Sequence, residues 1–356
     1  MDGTTVRVDG NTLRLPGGVA VRFVRTLRLP ETGTHPLPPG LGEFPLRRVS
    51  DFPDTAPERM RARGGVLLPM YLREAMWLSF AGTVEPAALQ VGAGKVCAVS
   101  GRPWSDRLTR DPQNYLVLPR QPWLDGINSG TGTVRQFVAV PLGLGATVEG
   151  QVTGEEVWGG VQVQSFPLRP GKLAAWREAR AAQERARRAA APPGGYGGAA
   201  FPMAALSAPG AAPPAPGAAP APAGGPPRSP ASLGLGVGRS MRQEVYRDER
   251  PPGDWAEEPA GRVFVHLVTP PEWRRITGEE PPPSPVDRAA YTRAGLPWFD
   301  YYDQDGEDLS PAPALEAVKP VGDWLGDDLD PWQPPSAQQI TPLKDAPGKP
   351  VQDGSW

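Results

Sequence analysis

Residues 19–29 alternate apolar and polar side chains, which is the pattern of a strand with one face buried. Val24 and Arg25 interrupt the alternation, so we predict a bend or a bulge at that point. Two shorter runs, 5–8 and 12–15, flank a turn-forming Asp-Gly-Asn cluster. The chain is therefore predicted to begin with a β-meander.

Short strand-forming runs continue through the N-terminal half, and Gly or Asn clusters separate most of them. We predict these strands at 89–91, 95–99, 115–118, 133–140, 147–153 and 161–166. The proline- and glycine-rich stretch 30–57 is expected to be an ordered loop, and the apolar run 70–80 fits either a short helix or a buried strand. Residues 1–170 are thus predicted to form a mainly β domain, an antiparallel sandwich or barrel-like fold with a few short helices.

Two segments of unusual composition follow this domain. Residues 171–190 are strong helix formers with a net charge of +4, which predicts an exposed basic Ala/Arg helix. Residues 191–236 are almost wholly Ala, Pro and Gly, and cannot bury enough apolar surface to offset chain entropy. They are predicted to be a disordered tether, and Gly234, Gly236 and Gly238 are interpreted as its flexible junction.

The C-terminal part contains one clear strand signal at 262–268, where both faces are apolar, so the strand is expected to be buried on both sides. Thr269 and the two prolines after it predict a capped helix that ends at Gly278. A second short helix is predicted over 284–295.

The segment 237–322 is predicted to dock on the β domain, because one strand and two short helices cannot form a stable core alone. The tether is then a long insertion inside one folded unit. Its length costs little, since each doubling of a loop costs about 0.6 kcal/mol. Residues 323–356 are polar and acidic, and are predicted to be a disordered tail.

The composition narrows the class of protein. The 37 basic and 39 acidic residues give a net charge of −2, which does not favour nucleic acid or an anionic membrane as the main partner. Cys97 is the only cysteine, so no intramolecular disulfide can form. The N-terminus lacks the positive charge of a signal peptide, and the most apolar run, 66–80, is interrupted by charges. A cytoplasmic protein without membrane insertion is predicted.

The motifs that suggest a cofactor each fail at a required position. Residues 92–95 resemble a phosphate loop, but Leu89 and Val96 occupy its first-glycine and hydroxyl positions, which favours a β-turn. The glycines of 143–145 lack the third glycine of a dinucleotide fingerprint. The run 303–306 lacks the first acid and the last glutamate of a calcium loop, which favours an acidic surface.

The sequence also offers no set of metal ligands. His35, His266 and Cys97 are far apart along the chain, and a zinc site needs about four ligands. His266 is interpreted as a hydrogen-bonded core residue and Cys97 as a small buried hydrophobe. We therefore predict no metal and no cofactor.

One loop constellation suggests a site for a small polar ligand, formed by residues 122–136 and 149–158. Asp125, Arg135 and Glu155 could converge at one end of the sandwich as a carboxylate–guanidinium site, or rim an ordinary hairpin as surface charge. The candidate ligand-binding residues are Trp123, Asp125, Asn128, Arg135, Gln136 and Glu155.

An aromatic and acidic segment suggests a second kind of function, the binding of another protein through a basic partner surface. The partner-binding candidates are Trp298, Phe299, Asp300, Tyr301, Tyr302 and Asp303. Our leading hypothesis is a non-enzymatic interaction or assembly protein. A third possibility, a subunit of a larger envelope- or secretion-related assembly, is not separated from it by the sequence. The alternative is an enzyme or ligand binder with its site in the 122–136 and 149–158 loops.

Four blocks of the chain resemble those of a family of hypothetical proteins of bacteria and fungi. The blocks lie at 41–46, 70–77, 122–128 and 295–302. The resemblance extends over 5–170 and 233–322, and it implies that the two halves belong to one unit. It carries over no catalytic residue.

Overall fold

The computed structural model of the chain describes residues 5–29, 33–38, 40–190, 233–283, 298–301, 308–310, 312–325 and 340–343. The chain divides into two compact units. Met1–Arg169 and Pro230–Trp356 together form the first unit, and Pro170–Ser229 forms the second. Both large sheets belong to the first unit.

Strands make up most of the regular structure. In chain order they are β1 Arg7–Asp9, β2 Thr12–Leu15, β3 Val19–Thr26, β4 Gly40–Glu43, β5 Arg47–Arg48, β6 Val66–Pro69, β7 Ala75–Ser79, β8 Ala87–Ala93, β9 Val96–Cys97, β10 Leu116–Leu118, β11 Trp123–Leu124, β12 Gly126–Gly130, β13 Thr133–Pro141, β14 Val161–Pro167, β15 Leu233–Arg242, β16 Gly261–Val268, β17 Trp298–Tyr301 and β18 Ile340–Leu343. The described α-helices are α1 Glu58–Arg63, α2 Val148–Thr153, α3 Pro170–Ala190, α4 Pro270–Thr277, α5 Pro313–Glu316 and α6 Val321–Leu325, and two 3-10 turns lie at Val49–Asp51 and Pro252–Asp254.

Within the described residues the first sheet has nine strands, ordered β1-β2-β3-β7-β13-β12, with β4 paired to β3, β11 to β7 and β15 to β13. Its strand pairs are antiparallel. The register between β3 and β4 shifts between Val24 and Thr26. This irregularity falls where Val24 and Arg25 interrupt the sequence alternation, at the position predicted for a bend or a bulge.

The second sheet, counted in the same way, has seven strands, ordered β10-β8-β14-β16-β6-β5, with β9 paired to β8. It is antiparallel except at the pairing of β16 with β6. Val21 and Phe23 from the first sheet and Leu89, Val163 and Val265 from the second belong to one buried apolar cluster. Burial of each such side chain stabilises the fold by about 1.5–3 kcal/mol. The predicted mainly β, antiparallel architecture is confirmed.

The C-terminal segment completes both sheets. β15 pairs with β13, and β16 lies between β14 and β6. Thr269 caps α4 by accepting a hydrogen bond from Glu272 N, and Gly278 ends that helix in the left-handed conformation, as predicted. The prediction that this segment packs back on the β domain is confirmed.

Residues 147–153 were predicted to be a strand, and this prediction is wrong, because residues 148–153 form the helix α2. The Thr147 side chain accepts a hydrogen bond from Gly150 N at its start, and Gly154 ends it with φ +77°. These local caps outweigh the strand propensity of a short run. The ambiguous run 70–80 contains the strand β7, and the expected loop 30–57 contains the short strands β4 and β5.

Gly234, Gly236 and Gly238 do not form a flexible junction, because they lie inside the buried strand β15. A Cβ on Gly236 would lie 2.8 Å from Val140 Cγ1 and 2.9 Å from Ala146 O. A Cβ on Gly234 would lie 2.5 Å from Thr147 Cγ2. These glycines therefore permit close packing of backbones. The remainder of the predicted tether, 191–232, lies outside the described residues.

The predicted boundary of the tail at residue 323 also differs from the structure. α6 crosses that boundary, and β18 pairs in parallel with β17 in a two-stranded ribbon. Leu315, Val318 and Val321, just before the boundary, are buried in the core of the first unit. The predicted helix at 284–295 lies outside the described residues.

The second unit contains one described helix, α3. Arg180 pairs with Glu184 one turn later, and its guanidinium stacks 5.3 Å from the centroid of the Trp176 ring. Among the described residues, no helix of the chain has the length and apolar character needed to cross a membrane.

Candidate functional site

Asp125 is the most deeply buried of the sequence-predicted site residues, with no exposed surface. Trp123 Nε1 donates to its Oδ2 (3.1 Å), and its backbone N–H donates to Gln243 Oε1 (3.0 Å). Its Oδ1 has no hydrogen-bond partner in the part of the chain that the structure describes. Burial raises the pKa of this carboxyl to about 8, although the bond from Trp123 acts in the opposite direction.

Arg135 and Gln136 are neighbours on β13, and both bond to the protein's own backbone. Arg135 Nη1 donates to Val318 O, and burial lowers the pKa of its guanidinium. Gln136 is buried and joins two backbone groups, donating to Leu27 O (2.9 Å) and accepting from Leu29 N (3.1 Å). These contacts stabilise β13 and the segment after β3.

Glu155 is exposed and pairs with Lys95 Nζ at 3.1 Å. Lys95 follows Gly94 in the tight turn between β8 and β9. This turn is the one that was favoured over a phosphate loop for residues 92–95. No hydrogen bond or ion pair joins any two of the described residues Asp125, Arg135 and Glu155. The structure therefore gives each of the three its own partners.

The two predicted loops contribute to two different clefts. Asn128 lines a cleft of about 650 Å³ beside residues 99–103. Trp158, which follows the Glu155 pair, lines another cleft of about 440 Å³. We call this second one the arginine cleft, because Arg7, Arg48, Arg63 and Arg262 line it.

Arg63 is held in the arginine cleft by two aromatic rings. Its Cζ lies 4.5 Å from the centroid of Trp158 and 4.6 Å from that of Phe264, and the two rings meet edge to face. Such contacts contribute about 0.5–2 kcal/mol each and orient the guanidinium plane. Arg63 forms no ion pair within the described residues. Its donor groups are thus positioned and available.

The other arginines of the cleft differ in how far their charge is compensated. Arg48 pairs with Asp51 (2.8 Å), and Arg262 pairs with Asp106 (3.0 Å) at the surface. Arg262 also donates to Gln162 Oε1 (2.9 Å), which orients it across β14 and β16. Arg7 is exposed on the edge strand β1, and no carboxylate of the described residues lines the cleft. The cleft therefore keeps a net positive charge, which the ion pairs of Arg48 and Arg262 and the nearby Glu149 carboxylate offset only in part.

Two carboxylates that the sequence analysis did not select bind the backbone around the Trp158 loop, and one of them, Glu149, holds Trp158 itself. Glu149 is buried and accepts hydrogen bonds from Trp158 N (3.0 Å) and Gly159 N (2.8 Å). Glu156 accepts bonds from the backbone N–H groups of Gly143, Gly145 and Thr147 and from the Thr147 hydroxyl. These bonds lower the pKa of Glu156 despite its partial burial.

His266 and Cys97 have the structural roles that the sequence suggests. His266 Nε2 lies 2.8 Å from Gly64 O, and burial lowers the pKa of the imidazole to about 4. Cys97 is buried, and its thiol donates to Asn114 O (3.3 Å). Burial raises the pKa of that thiol. No group of three or more His, Cys, Asp or Glu side chains among the described residues could hold a metal ion.

The partner-binding candidates fall only partly within the described residues. Trp298, Phe299, Asp300 and Tyr301 form β17, whereas Tyr302 and Asp303 lie outside. The nearby Asp308 bonds to the fold: Gly132 N donates to its Oδ2 and Val245 N donates to its Oδ1. A role of β17 in partner binding stays a prediction.

No family of proteins, curated protein or solved structure was found to match this chain. The chemistry of the clefts is therefore the basis for a functional assignment. Sequence reasoning missed Arg63 and Phe264, which are far apart along the chain. The available signal was limited to the alternation of Arg262, Phe264 and His266 on one face of β16.

Proposed function

We propose that this chain is a non-enzymatic protein-interaction protein whose arginine cleft binds an acidic segment of a partner protein. The observation that supports this function is the Arg63 guanidinium, which packs against Trp158 and Phe264 and forms no ion pair among the described residues. A planar guanidinium binds a carboxylate through two parallel hydrogen bonds. Its orientation by two rings lowers the entropy lost on binding.

The surroundings of Arg63 favour an anionic ligand. Arg7 adds an exposed positive charge, and Arg262 adds a guanidinium fixed by Gln162. Complementary charge of this kind accelerates association and selects against basic partners. The net charge of −2 gives the chain as a whole little attraction for nucleic acid. Of the anionic ligands that the cleft could bind, an acidic peptide segment is therefore favoured over nucleic acid.

The bonding of the predicted polar site supports a binding role over a catalytic one. Asp125 and Gln136 are engaged within the fold, and Arg135 donates to a backbone carbonyl. General acid–base chemistry needs a titratable group within hydrogen-bonding reach of a substrate. A cytoplasmic location is part of this proposal and rests on the lone Cys97, whose thiol is buried and free.

The test is fluorescence anisotropy of the full-length chain with a labelled, terminally blocked hexaglutamate peptide. We expect binding that weakens as salt rises, because charge attraction between exposed groups is screened. Arg63→Gln should reduce the affinity about tenfold, the scale of a charged residue at the centre of an interface. Arg63→Lys should recover only part of the loss, because lysine lacks the planar fork.

Arg61→Gln is the matched control. Arg61 lies two residues away on α1, does not line the arginine cleft and donates to Pro53 O at the surface. This variant removes the same charge and should bind as the wild type does. Equal affinity of the wild type and Arg63→Gln would reject the proposal, as would tighter binding of an oligo(dT) probe that competes with the peptide.

A second surface, β17, was suggested for the partner by its aromatic and acidic side chains. Deletion of residues 298–356 would be a poor test, because it also removes the buried Leu315, Val318 and Val321. Replacing Trp298 and Phe299 by alanine leaves those residues in place. If β17 binds the partner, this double variant should change the oligomeric state or the set of co-purified proteins relative to the wild type.

A further inference from the structure

The arginine cleft is bordered by a strand at the edge of its sheet. β1 is the last strand of the nine-stranded sheet, and the one strand of the described chain that pairs with it is β2. Val6, Arg7 and Val8 line the cleft, whereas no residue of β2 does. The cleft therefore lies on the side of β1 that faces away from β2.

The hydrogen bonds around β2 determine which backbone groups of β1 point toward that open side. Ala20 N donates to the Thr83 hydroxyl (3.0 Å), so Ala20 and Arg14 form a non-hydrogen-bonded pair between β3 and β2. Because bonded and non-bonded pairs alternate along an antiparallel ladder, Leu13 bonds to β3 and Arg14 bonds to β1. Val8 lies opposite Leu13, so its N–H and C=O are directed away from β2.

The outward backbone groups of Val8 have no other backbone partner among the described residues. An edge strand with a free N–H and C=O is a template for a further strand. Addition of an extended peptide to such an edge is a recurring mode of peptide recognition, in which the backbone bonds give affinity and alternate side chains give specificity.

The side chains of β1 separate into two faces. Val6 and Val8 pack against the apolar core, whereas Arg7 and Asp9 are exposed on the opposite face. Arg63 and Arg262 are also exposed, so a peptide at this edge has access to their donor groups. In a strand added to β1, every second side chain would lie on the face of Arg7.

We propose that the acidic segment binds by β-strand addition to the open edge of β1, with acidic side chains at alternate positions. Its backbone pairs with the N–H and C=O of Val8, and its acids contact Arg7 and the other guanidinium groups of the arginine cleft. This inference rests on the acidic-segment binding proposed above and specifies its geometry. The partner segment is then extended, with acids at every second residue and no proline between them.

The first test removes backbone donors from one edge of the peptide at a time. The probe is a labelled, terminally blocked hexapeptide of alternating Glu and Thr, measured by fluorescence anisotropy with the full-length chain. Two isomers carry N-methyl groups on either all Glu or all Thr residues, so their composition and charge are equal. One isomer should bind as the unmethylated peptide does, and the other at least about tenfold more weakly, because only one set of N–H groups faces β1.

The same comparison reports the direction of the added strand. With the acids on the face of Arg7, loss of binding in the Thr-methylated isomer indicates antiparallel addition, and loss in the Glu-methylated isomer indicates parallel addition. A block peptide of three Glu followed by three Thr should bind about threefold more weakly than the alternating one, since only two of its acids share a face.

The second test changes the edge of β1 itself. Val8→Pro removes the outward N–H, and proline is tolerated on edge strands at such positions. It should weaken binding of the alternating peptide at least about fivefold. Val8→Thr is the matched control, because it keeps the N–H and nearly the same shape, and it should bind as the wild type does. Urea unfolding verifies that both variants are folded, and the peptide comparison does not depend on either of them.

The outcomes separate this inference from the proposed function. Equal affinity of the two methylated isomers, or wild-type affinity in folded Val8→Pro, would overturn strand addition, whereas binding that still depends on Arg63 would leave the proposed function intact. Absence of Arg63-dependent binding for every peptide would reject both. A wild-type dimer that Val8→Pro converts into a monomer in sedimentation would assign the edge to a second copy of the chain and would also overturn the inference.

Discussion

At the scale of single residues, buried polar groups define the chemistry of this protein. Arg25 of β3 and Glu74, just before β7, form a buried ion pair at 2.7 Å, and the sequence shows Arg25 only as an interruption of alternation. Burial raises the pKa of the Glu74 carboxyl even though Arg25 opposes that shift. Asp125 has no such cation among the described residues, and its Oδ1 lacks a partner there. It is therefore the residue whose protonation should affect stability most directly.

Asp125 should make the protein less stable as the pH rises from about 4 to about 8. Its folded pKa is about 8, and its unfolded pKa is about 3.9, so in this window the folded state keeps a proton that the unfolded state releases. The free energy of unfolding should fall by up to about 1.4 kcal/mol per pH unit from this group. Asp125→Asn removes the titration, so its stability should depend less on pH.

Urea unfolding at pH 5, 6, 7 and 8 measures this difference. Asp54→Asn is the control, because Asp54 is exposed and its substitution should leave the pH dependence of the wild type intact. The interpretation of Asp125 as a buried, protonated carboxyl fails if Asp125→Asn and the wild type show the same dependence.

At the scale of elements, local signals and packing act with different strength. The caps of α4 lie in its own sequence, and the structure follows them. The glycines of β15 carry no such local signal, because their role depends on contacts with β13 and with the segment before α2. Only the approach of Val140 and Ala146 explains why residue 236 has no side chain.

Gly236→Ala should destabilise the protein by about 1–3 kcal/mol, the usual cost of overpacking a core. The new Cβ would meet a backbone oxygen at 2.9 Å, which cannot move as a side chain can. Chemical denaturation of the variant gives the free energy of unfolding. Gly253→Ala is the matched control, since no described atom lies within 4 Å of the position that its Cβ would take, and it should change stability by less than about 0.5 kcal/mol. Equal stability of Gly236→Ala and the wild type would contradict this account of β15.

At the scale of the whole molecule, one unit is built from two stretches of chain that Pro170–Ser229 separates. Both large sheets contain strands from each stretch, since β15 joins the first sheet and β16 the second. Cooperative folding of this unit therefore requires both halves of the chain.

Replacing residues 170–229 by a Gly/Ser linker of about 20 residues should preserve the fold of the first unit. A threefold shorter loop should raise the free energy of unfolding by about 1 kcal/mol, because closing it costs less entropy. Thermal and urea unfolding measure both expectations. A Gly/Ser linker of the original length separates the effect of length from that of composition. Loss of cooperative unfolding in both linker variants would show that the segment is needed for folding.

The strands and the caps could be predicted from the sequence because their signals are local. Alternation of apolar side chains marked β3, short strand-forming runs marked β13 and β14, and Thr269 with Gly278 marked the ends of α4. The candidate site was less accessible. Asp125, Arg135 and Glu155 were grouped by spacing along the chain, but spacing carries no information on which groups will satisfy one another inside the fold.

The sequence by itself determined the mainly β class, the unusual composition of 191–232 and the attachment of the C-terminal segment, because periodicity and composition act over short stretches of chain. Only the tertiary structure decided that β15 is a glycine-bearing core strand and that Asn128 and Trp158 line different clefts. The tertiary structure also places the Arg63 guanidinium against the ring of Phe264, which lies about 200 residues away in the sequence. Such contacts depend on packing between distant segments, which no local pattern encodes.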